Sequence, residues 1–378
     1  MKLADCHSIA DLRDAAKARA HRMVFEYIDG GADDELTLRA NSSDFADWTF
    51  RHRVLRDVSE IDTSVTLLGK PHPLPFFLSP TAGNRLFHKD GERAVAAAAG
   101  KAGIVCGLST LGSVSIEDHI NCGNGPKWFQ TYVWKDRGLT REMLARAKAA
   151  GYEALALTVD LPVHGNRERD HRTGFSIPPK LGPRQVWDAV KRPRWTSEYL
   201  TSPAIRYANL SQTTDAMSLA DFIAEQLDPS FTWHDAELLL AEWNGPAILK
   251  GVVHPDDARQ AQRLGFAAVS VSNHGGRQLD RDISAIEALP DIVSAVGESI
   301  DVTIDSGIRR GTDILIALAL GAKAVGVGRA YLYGLAAAGE PGVTHAIKIL
   351  VDEVRRDLAL LGFSKITGLS RKGLYPSA

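Results

Sequence analysis

The chain has 378 residues, 44% of them hydrophobic, enough for one large core or two ordinary ones. Its formal net charge of -2 gives no overall basic field of the kind that nucleic-acid binding requires, so a small-molecule substrate is expected and a nucleic acid is not. Three cysteines, Cys6, Cys106 and Cys122, share no paired spacing with one another or with histidines, which argues against a disulfide framework and a metal site and for a reducing compartment.

Residues 1–74 read as a mostly helical extension, charged at its start and without the apolar stretch of a signal peptide or membrane span; a cytoplasmic location is expected. From residue 75, eight apolar runs alternate with helical patterns: 75–80, 103–109, 127–133, 154–160, 247–251, 267–273, 301–307 and 324–329. Thr140 with Gly151, and Thr312 with Gly321, read as the opening and closing residues of two of the helices. Eight strand-then-helix units imply parallel strands and close into an α/β (β/α)8 TIM barrel across 75–378. A doubly wound open sheet is the alternative, but no GxGxxG follows the first strand. The interval 161–246, between strands four and five, is far longer than one crossover helix and predicts an insertion above or beside the barrel mouth. The whole chain, 1–378, reads as a single decorated domain.

Barrels of this class carry their sites at the carboxyl ends of the strands. Here those positions hold Thr81 and Ala82, Ser109, Gln130 and Tyr132, Thr158 and Asp160, Lys250, His274, Asp305 and Gly307, and Gly328 and Arg329. Any one of them could be a helix cap and nothing more; their recurrence around one rim points to a site. "DSGIRRGTD" and "GVGRA" supply glycine amides with Arg309 and Arg329 beside helix starts, as barrels do for a phosphate. Lys250 ends an apolar strand, where an unpaired ammonium is costly, so it must reach an anion or water. Gln130 and Thr158 offer neutral donors and acceptors suited to the edge of a flat ring, and the set suggests a flavin.

The stretch "SNHGGRQLD" (272–280) puts an imidazole and a guanidinium on a glycine hinge at a strand end. With "YIDGGADDELTLRAN", "LSPTAG", "LSTLGSVSIED", "WFQTYV", "LTVDLPVHGNRERD", "ILKGV", "DSGIRRGTDILIALALGA" and "GVGRAYLYG", it resembles the signature of the FMN-dependent L-2-hydroxy acid oxidising family, over nearly the whole chain. That family includes glycolate and lactate oxidases and the bacterial lactate and (S)-mandelate dehydrogenases. The resemblance implies bound FMN and oxidation of an L-2-hydroxy acid to the 2-oxo acid. By position it implies that His274 is the base and Asp160 its orienting partner. Arg277 and Arg167 would hold the substrate carboxylate, and Tyr27 and Tyr132 would bond the substrate. Ser109, Gln130, Thr158 and Lys250 would bind the flavin ring, backbone groups of Thr81 and Ala82 its N5 edge, and Asp305, Gly307, Arg309, Gly328 and Arg329 the ribityl chain and phosphate. These roles also make physical sense: a planar guanidinium grips a carboxylate in a fork while a neutral imidazole reaches the carbinol centre.

Leu111 stands where the glycolate oxidases carry tryptophan, which implies a substrate with a real side chain, such as lactate or mandelate. Ala82 stands where the bacterial dehydrogenases often have glycine, so both an external acceptor, a quinone or another carrier, and O2 with release of hydrogen peroxide stay open. "VHGNRERD" and the 178–245 segment favour the dehydrogenase, and the resemblance implies a homo-tetramer. A phosphate-binding barrel without flavin would need neither Lys250 nor His274, and a non-catalytic flavin carrier would have lost the base.

Residues 178–210 hold six basic residues (Lys180, Arg184, Lys191, Arg192, Arg194, Arg206) against two acidic ones, with Trp187, Trp195, Tyr199 and Tyr207 interleaved. Basic and amphipathic aromatic side chains suit an anionic headgroup region, which predicts peripheral contact with the cytoplasmic face of the inner membrane. A solvated lid over the site is the alternative.

Overall fold

The computed structural model describes residues 2–176, 182–210 and 225–376. Eight parallel strands close into a barrel: β1 (Phe76–Leu78), β2 (Cys106–Ser109), β3 (Lys127–Thr131), β4 (Ala154–Thr158), β5 (Ala247–Val252), β6 (Ala268–Val271), β7 (Asp301–Ile304) and β8 (Ala324–Val327). The ring is completed where Val325 of β8 lies opposite Phe76 of β1. Each strand falls on one of the eight expected runs, because a parallel strand covered on both faces needs apolar residues continuously rather than alternately. All five residues of β4, for example, are buried.

The amino end of the barrel is stoppered. Phe77, Val105, Trp128, Ala154, Ile248, Ala268 and Ala324, at or near the starts of seven strands, form one buried cluster around Leu67. Leu67 belongs to a hairpin, Val65–Leu67 with Lys70–His72, that turns through Leu68 and Gly69 at φ +51° and +74°. The Leu68 amide donates to Asp301 Oδ2 at 2.7 Å, fixing the hairpin to the start of β7. Only the carboxyl end is left for a ligand.

Two helix starts differ from expectation. The helix Arg137–Ala150 is opened by Asp136, whose carboxylate accepts from the Leu139 amide at 3.0 Å. Thr140 lies a turn inside and donates its hydroxyl back to the Asp136 carbonyl, while Gly151 closes the helix at φ +92°. The helix Gly311–Ala319 begins before Thr312, and it is Asp313 whose carboxylate accepts from the Arg309 and Arg310 amides. In both cases a carboxylate near the first turn outcompetes a threonine, since it also meets the positive end of the helix dipole.

The N-terminal extension forms the helices Ile9–Arg19, Arg22–Asp29 and Leu36–Ser43, and then a strand, Trp48–Phe50, that pairs antiparallel with Leu374–Pro376. Asp29 closes the second helix and accepts from Arg13 at 2.6 and 2.7 Å, from the Tyr333 hydroxyl at 2.9 Å and from Arg169 at 3.1 Å. One buried carboxylate thereby joins the extension, a barrel helix and the insertion. Burial alone would raise its pKa, but Arg13, Tyr333 and Arg169 outweigh that and bring it down to about 2.

Between β4 and β5 lie the helices Glu168–Thr173, Pro183–Lys191, Pro193–Thr201 and Trp233–Trp243. The middle pair is fastened to the N-terminal extension: Arg19 bonds Glu198 at 2.5 Å, the Arg22 amide donates to Asp188 at 2.6 Å, and Arg192 donates to the Ala20 carbonyl at 3.2 Å. The aromatic residues of this segment divide. Trp195 is buried and donates to the Leu86 carbonyl, Tyr199 stacks on it, and Tyr207 is buried, so only Trp187 of the four is exposed. Val186, Val190 and Leu200 are exposed with it, beside Arg184, Lys191 and Arg194. Lys180 lies outside the described residues. Among the described residues no helix is long and apolar enough to cross a membrane.

Candidate active site

A cavity of about 560 Å³ opens at the carboxyl ends of the strands. Its central feature is the loop that follows β6, where His274, Gly275 and Gly276 take φ of +57°, +67° and +71° in succession. The two glycines answer to close approach: a Cβ on Gly275 would stand 2.5 Å from Arg329 Nη1, and one on Gly276 would stand 2.5 Å from the Leu38 amide. The loop is stitched to the extension by a reciprocal amide pair, Asn41 with Asn273 at 2.8 and 2.9 Å, and by Thr37 donating to Asp280 at 2.8 Å. A non-glycine residue at positive φ is uncommon and costs roughly 1 kcal/mol, and here it aims the imidazole inward.

His274 Nδ1 lies 2.9 Å from Asp160 Oδ1. With Nδ1–H donating to that carboxylate, the Nε2 lone pair is left free to take a proton. Burial would raise the Asp160 pKa, but His274 and then Lys250 hold it below the usual carboxylate range, so Asp160 is ionised at neutral pH. Space for Asp160 is made by Gly251, which sits at an irregularity in β5 with φ +104°, and whose Cβ would otherwise stand 2.6 Å from the Asp160 side chain. The Tyr132 ring stacks beside His274, with 6.3 Å between centroids.

Four guanidiniums at the cavity wall have no carboxylate bonded to them among the described residues. Arg277 donates to the carbonyls of Tyr27 and Gly30 and lies 4.8 Å over the Tyr27 ring. Arg167 donates to the Arg277 carbonyl and to Gln278 Oε1; burial and then repulsion from Arg277 push its pKa down to about 10. Arg329 donates to the carbonyls of Ile28, Gly275 and Gly30, and burial and Arg277 push it down to about 9. Arg309 donates to the carbonyl of Ile308. Buried cations without counter-charges are costly unless an anion arrives, so the cavity is built for anions in two places. Beside Arg329 the position of a Gly328 Cβ meets nothing within 4 Å, which leaves that end open.

Between the two cationic ends runs a wall of strand termini. Ser109 Oγ donates to Gln130 Oε1 at 2.8 Å and Gln130 Nε2 donates to Thr158 Oγ1 at 2.9 Å. Gln130 and Thr158 line the cavity; Ser109 stands one bond behind them and fixes which face Gln130 presents. Lys250 Nζ bonds Ser272 Oγ at 2.8 Å and Asp305 Oδ2 at 2.7 Å. Burial would lower the Lys250 pKa, yet Asp305 and Asp160 raise it above the ordinary value, so the ammonium stays charged. Thr81 and Ala82 line the opposite side, with Thr81 Oγ1 donating to Asn84 at 2.8 Å. Gly307, at φ +90°, also lies at the wall, packed so closely on Asn41 that no side chain could be placed there. A flat wall of donors and acceptors with a fixed cation, running toward two unpaired guanidiniums and an open glycine, fits a flavin ring with a phosphorylated tail.

Sequence reasoning did not find Ser272, the hydroxyl that joins Lys250, Asp305 and the His274 amide, nor the cavity wall made by Leu161, His164, Phe175 and Tyr207 of the insertion. A strand-end rule reaches Ser272, and Leu161 and His164 lie within the stretch "LTVDLPVHGNRERD"; nothing in the composition of the insertion marks Phe175 or Tyr207. Crowding by the cavity wall and then the nearby Arg167 push the His164 pKa down, to about 4, although the residue keeps an exposed edge.

A model of the family described as FMN-dependent dehydrogenase matches residues 16–376. Similar proteins include a putative L-lactate dehydrogenase of Mycobacterium tuberculosis, 42% identical over 96% of this chain and 87% of that one. An L-lactate oxidase of Nostoc is 41% identical over 97% and 98%. Among solved structures, a monotopic membrane protein, (S)-mandelate dehydrogenase, superposes with a TM-score of 0.95 at 38% identity, covering 99% of this chain and 100% of that one. Fold and site define a flavin-dependent oxidoreductase built on a (β/α)8 barrel. The chain belongs to the FMN-dependent dehydrogenase family.

Proposed function

We propose that the protein oxidises an L-2-hydroxy acid of the lactate or mandelate type to the 2-oxo acid and passes the electrons to an external acceptor. The observation that carries this reading is the meeting, in one cavity, of the His274–Asp160 pair with two guanidiniums, Arg167 and Arg277, that have no bonded carboxylate among the described residues. A substrate carboxylate supplies the missing anion, and held there it brings its carbinol carbon to the imidazole. Bound FMN supplies the two-electron oxidant. The residues suited to hold it are Gln130, Thr158 and Lys250 at the ring, with Ser109 orienting Gln130, and Thr81 and Ala82 on the opposite side. Asp305, Gly307, Arg309, Gly328 and Arg329 suit its tail.

His274 Nε2 takes the substrate proton, and the resulting imidazolium is stabilised by ionised Asp160 at 2.9 Å. Tyr132 and Tyr27 flank the base and Arg277, where their hydroxyls can bond the substrate's oxygens. Leu111, buried at the cavity wall, faces the substrate side chain. Lactate-oxidising relatives and the mandelate dehydrogenase structure support this class of acid. Anaerobic mixing with L-lactate and (S)-mandelate is the test: the flavin absorbance bleaches with one or both and not with the D-enantiomers. A colourless protein, or a spectrum that no L-2-hydroxy acid bleaches, rejects the reading.

A second reading, oxidation with O2 and release of hydrogen peroxide, is favoured by the oxidase relative at 41% identity and by alanine at position 82. Peroxide formed in equal amount to the product in air selects it; slow reoxidation in air with fast reoxidation by a quinone selects the dehydrogenase. We also propose peripheral membrane attachment through the outer face of helices Pro183–Lys191 and Pro193–Thr201, where Val186, Trp187, Val190 and Leu200 stand among basic residues. The monotopic membrane relative supports it.

A further inference from the structure

Of the polar residues that the insertion brings to the cavity and the roles above leave unused, His164, Asn166, Asp170, His171 and Tyr207, only Tyr207 is buried. Tyr207 lines the cavity and is 7% exposed, yet its hydroxyl has no hydrogen-bond partner among the described residues. Its place is well defined. The Ala208 amide donates to the Gly112 carbonyl at 3.1 Å, the Gly83 amide donates to the Leu111 carbonyl at 3.0 Å, and a Cβ on Gly83 would lie 3.8 Å from the Tyr207 ring. Tyr207 therefore stands against the two loops that carry Leu111 and Ala82, on the side where the substrate's side chain lies if Arg277 and Arg167 hold its carboxylate.

The apolar members of that wall, Leu111, Leu161, Phe87 and Phe175, have no hydrogen-bonding side-chain atoms. An aliphatic or plain phenyl substituent would be served there equally well by phenylalanine. Burial holds the Tyr207 phenol well above its ordinary pKa, so the proton stays in place as a donor across any assay pH. The hydroxyl is not sealed inside the protein but opens on the cavity, so it is free to exchange solvent for a hydrogen-bonding group of a guest. Tyr27 and Tyr132 also present phenols, but these accompany Arg277 and His274 at the reacting end.

We propose that Tyr207 is a specificity-determining residue whose hydroxyl bonds a ring hydroxyl on the substrate, so that the acid preferred is an L-2-hydroxy acid with a hydroxyl-substituted aromatic side chain. Aromatic walls suit an aromatic guest, and a group placed to meet a hydroxyl discriminates against the analogue lacking it. The proposal rests on the 2-hydroxy acid reading above.

The test measures anaerobic flavin reduction and kcat/KM in the holoenzyme with (S)-mandelate and with its 3-hydroxy and 4-hydroxy derivatives, for the native protein and for Tyr207→Phe. The native protein prefers one hydroxylated acid over mandelate, and Tyr207→Phe lowers that ratio about three- to tenfold, the worth of one neutral hydrogen bond. Tyr207→Leu lowers the same ratio at least as far. The absence of a native preference, a ratio unchanged in Tyr207→Phe, or an equal loss on all three acids overturns the proposal and leaves Tyr207 bonded to solvent or simply packed. Failure of every acid to reduce the flavin rejects the underlying reading instead, so the two failures are told apart.

Discussion

The mouth of the barrel is built from two kinds of material. One half consists of strand ends, Gln130, Thr158, Lys250, His274 and the glycine turns after β7 and β8, each anchored in a buried parallel strand. The other half is the insertion, whose Leu161, Phe175 and Tyr207 close the wall and whose outer face carries Val186, Trp187, Val190 and Leu200. The proton transfer and anion binding proposed above fall mainly on the first half, where positions are fixed by the barrel hydrogen bonds; Arg167 alone comes across from the second. The proposed choice of side chain and the proposed attachment fall on the second, which is fastened by ion pairs, single hydrogen bonds and aromatic contacts. Chemistry thus sits on the part of the fold that tolerates least change, and selection on the part that tolerates most.

The sharpest way to break this division is His274→Gln, which removes the base at the strand mouth and spares the phosphate end. Flavin stays bound, and its anaerobic reduction by substrate slows by about 10² to 10⁴, measured by stopped-flow absorbance. Arg277→Lys keeps the charge but loses the fork, and kcat/KM drops roughly 10- to 100-fold with reduction and binding both impaired. Unchanged kinetics would move the carboxylate to Arg167.

Asp29→Asn tests the junction of the two halves. Its pKa of about 2 against an ordinary 3.8 amounts to about 2 kcal/mol of stability at neutral pH. A carboxyl whose folded pKa is depressed contributes stability above its unfolded pKa and loses it as pH falls through the folded one. Urea unfolding should therefore show the native protein more stable than the variant at pH 7, with the gap closing between about pH 4 and pH 2. The smallest effect on turnover comes from changing Val186, Trp187, Val190 and Leu200 to serine. Reduction of the flavin by substrate stays within about twofold, while flotation with anionic vesicles at low salt is lost; a native protein that does not float leaves the insertion as a wall of the site alone.

The same division separates what was legible in the sequence from what was not. All eight strands could be read because burial on both faces forces apolar runs, and most runs carry at or just past their carboxyl end a polar residue that lines the cavity, Ser109 standing behind the wall instead. Lys250, His274 and the paired arginines stood out because a charged group ending such a run needs a reason. Thr140 and Thr312 were misread because a threonine near a helix start resembles a cap whether or not an aspartate does the capping. The hairpin that seats Leu67 in the barrel floor and the strand Trp48–Phe50 are three residues long on each side, too short for a periodic signal. In the insertion, Trp195 and Tyr207 looked like the exposed Trp187, because inward and outward aromatic residues differ only in a three-dimensional context that no local pattern encodes.

The reciprocal pair Asn41–Asn273 has a further consequence, in time rather than in space. Its members are 232 residues apart, and at ribosomal rates of about 5–20 residues per second the first waits some 10 to 50 s for the second to be made. Arg329, which donates to the Ile28 carbonyl, comes later still, 301 positions on. The helices that deliver Tyr27 to the cavity are thus synthesised well before the segments that supply their final contacts. The ring itself closes only through Val325 of β8, four residues before Arg329, so closure of the barrel and assembly of the cavity wall become possible in the same interval.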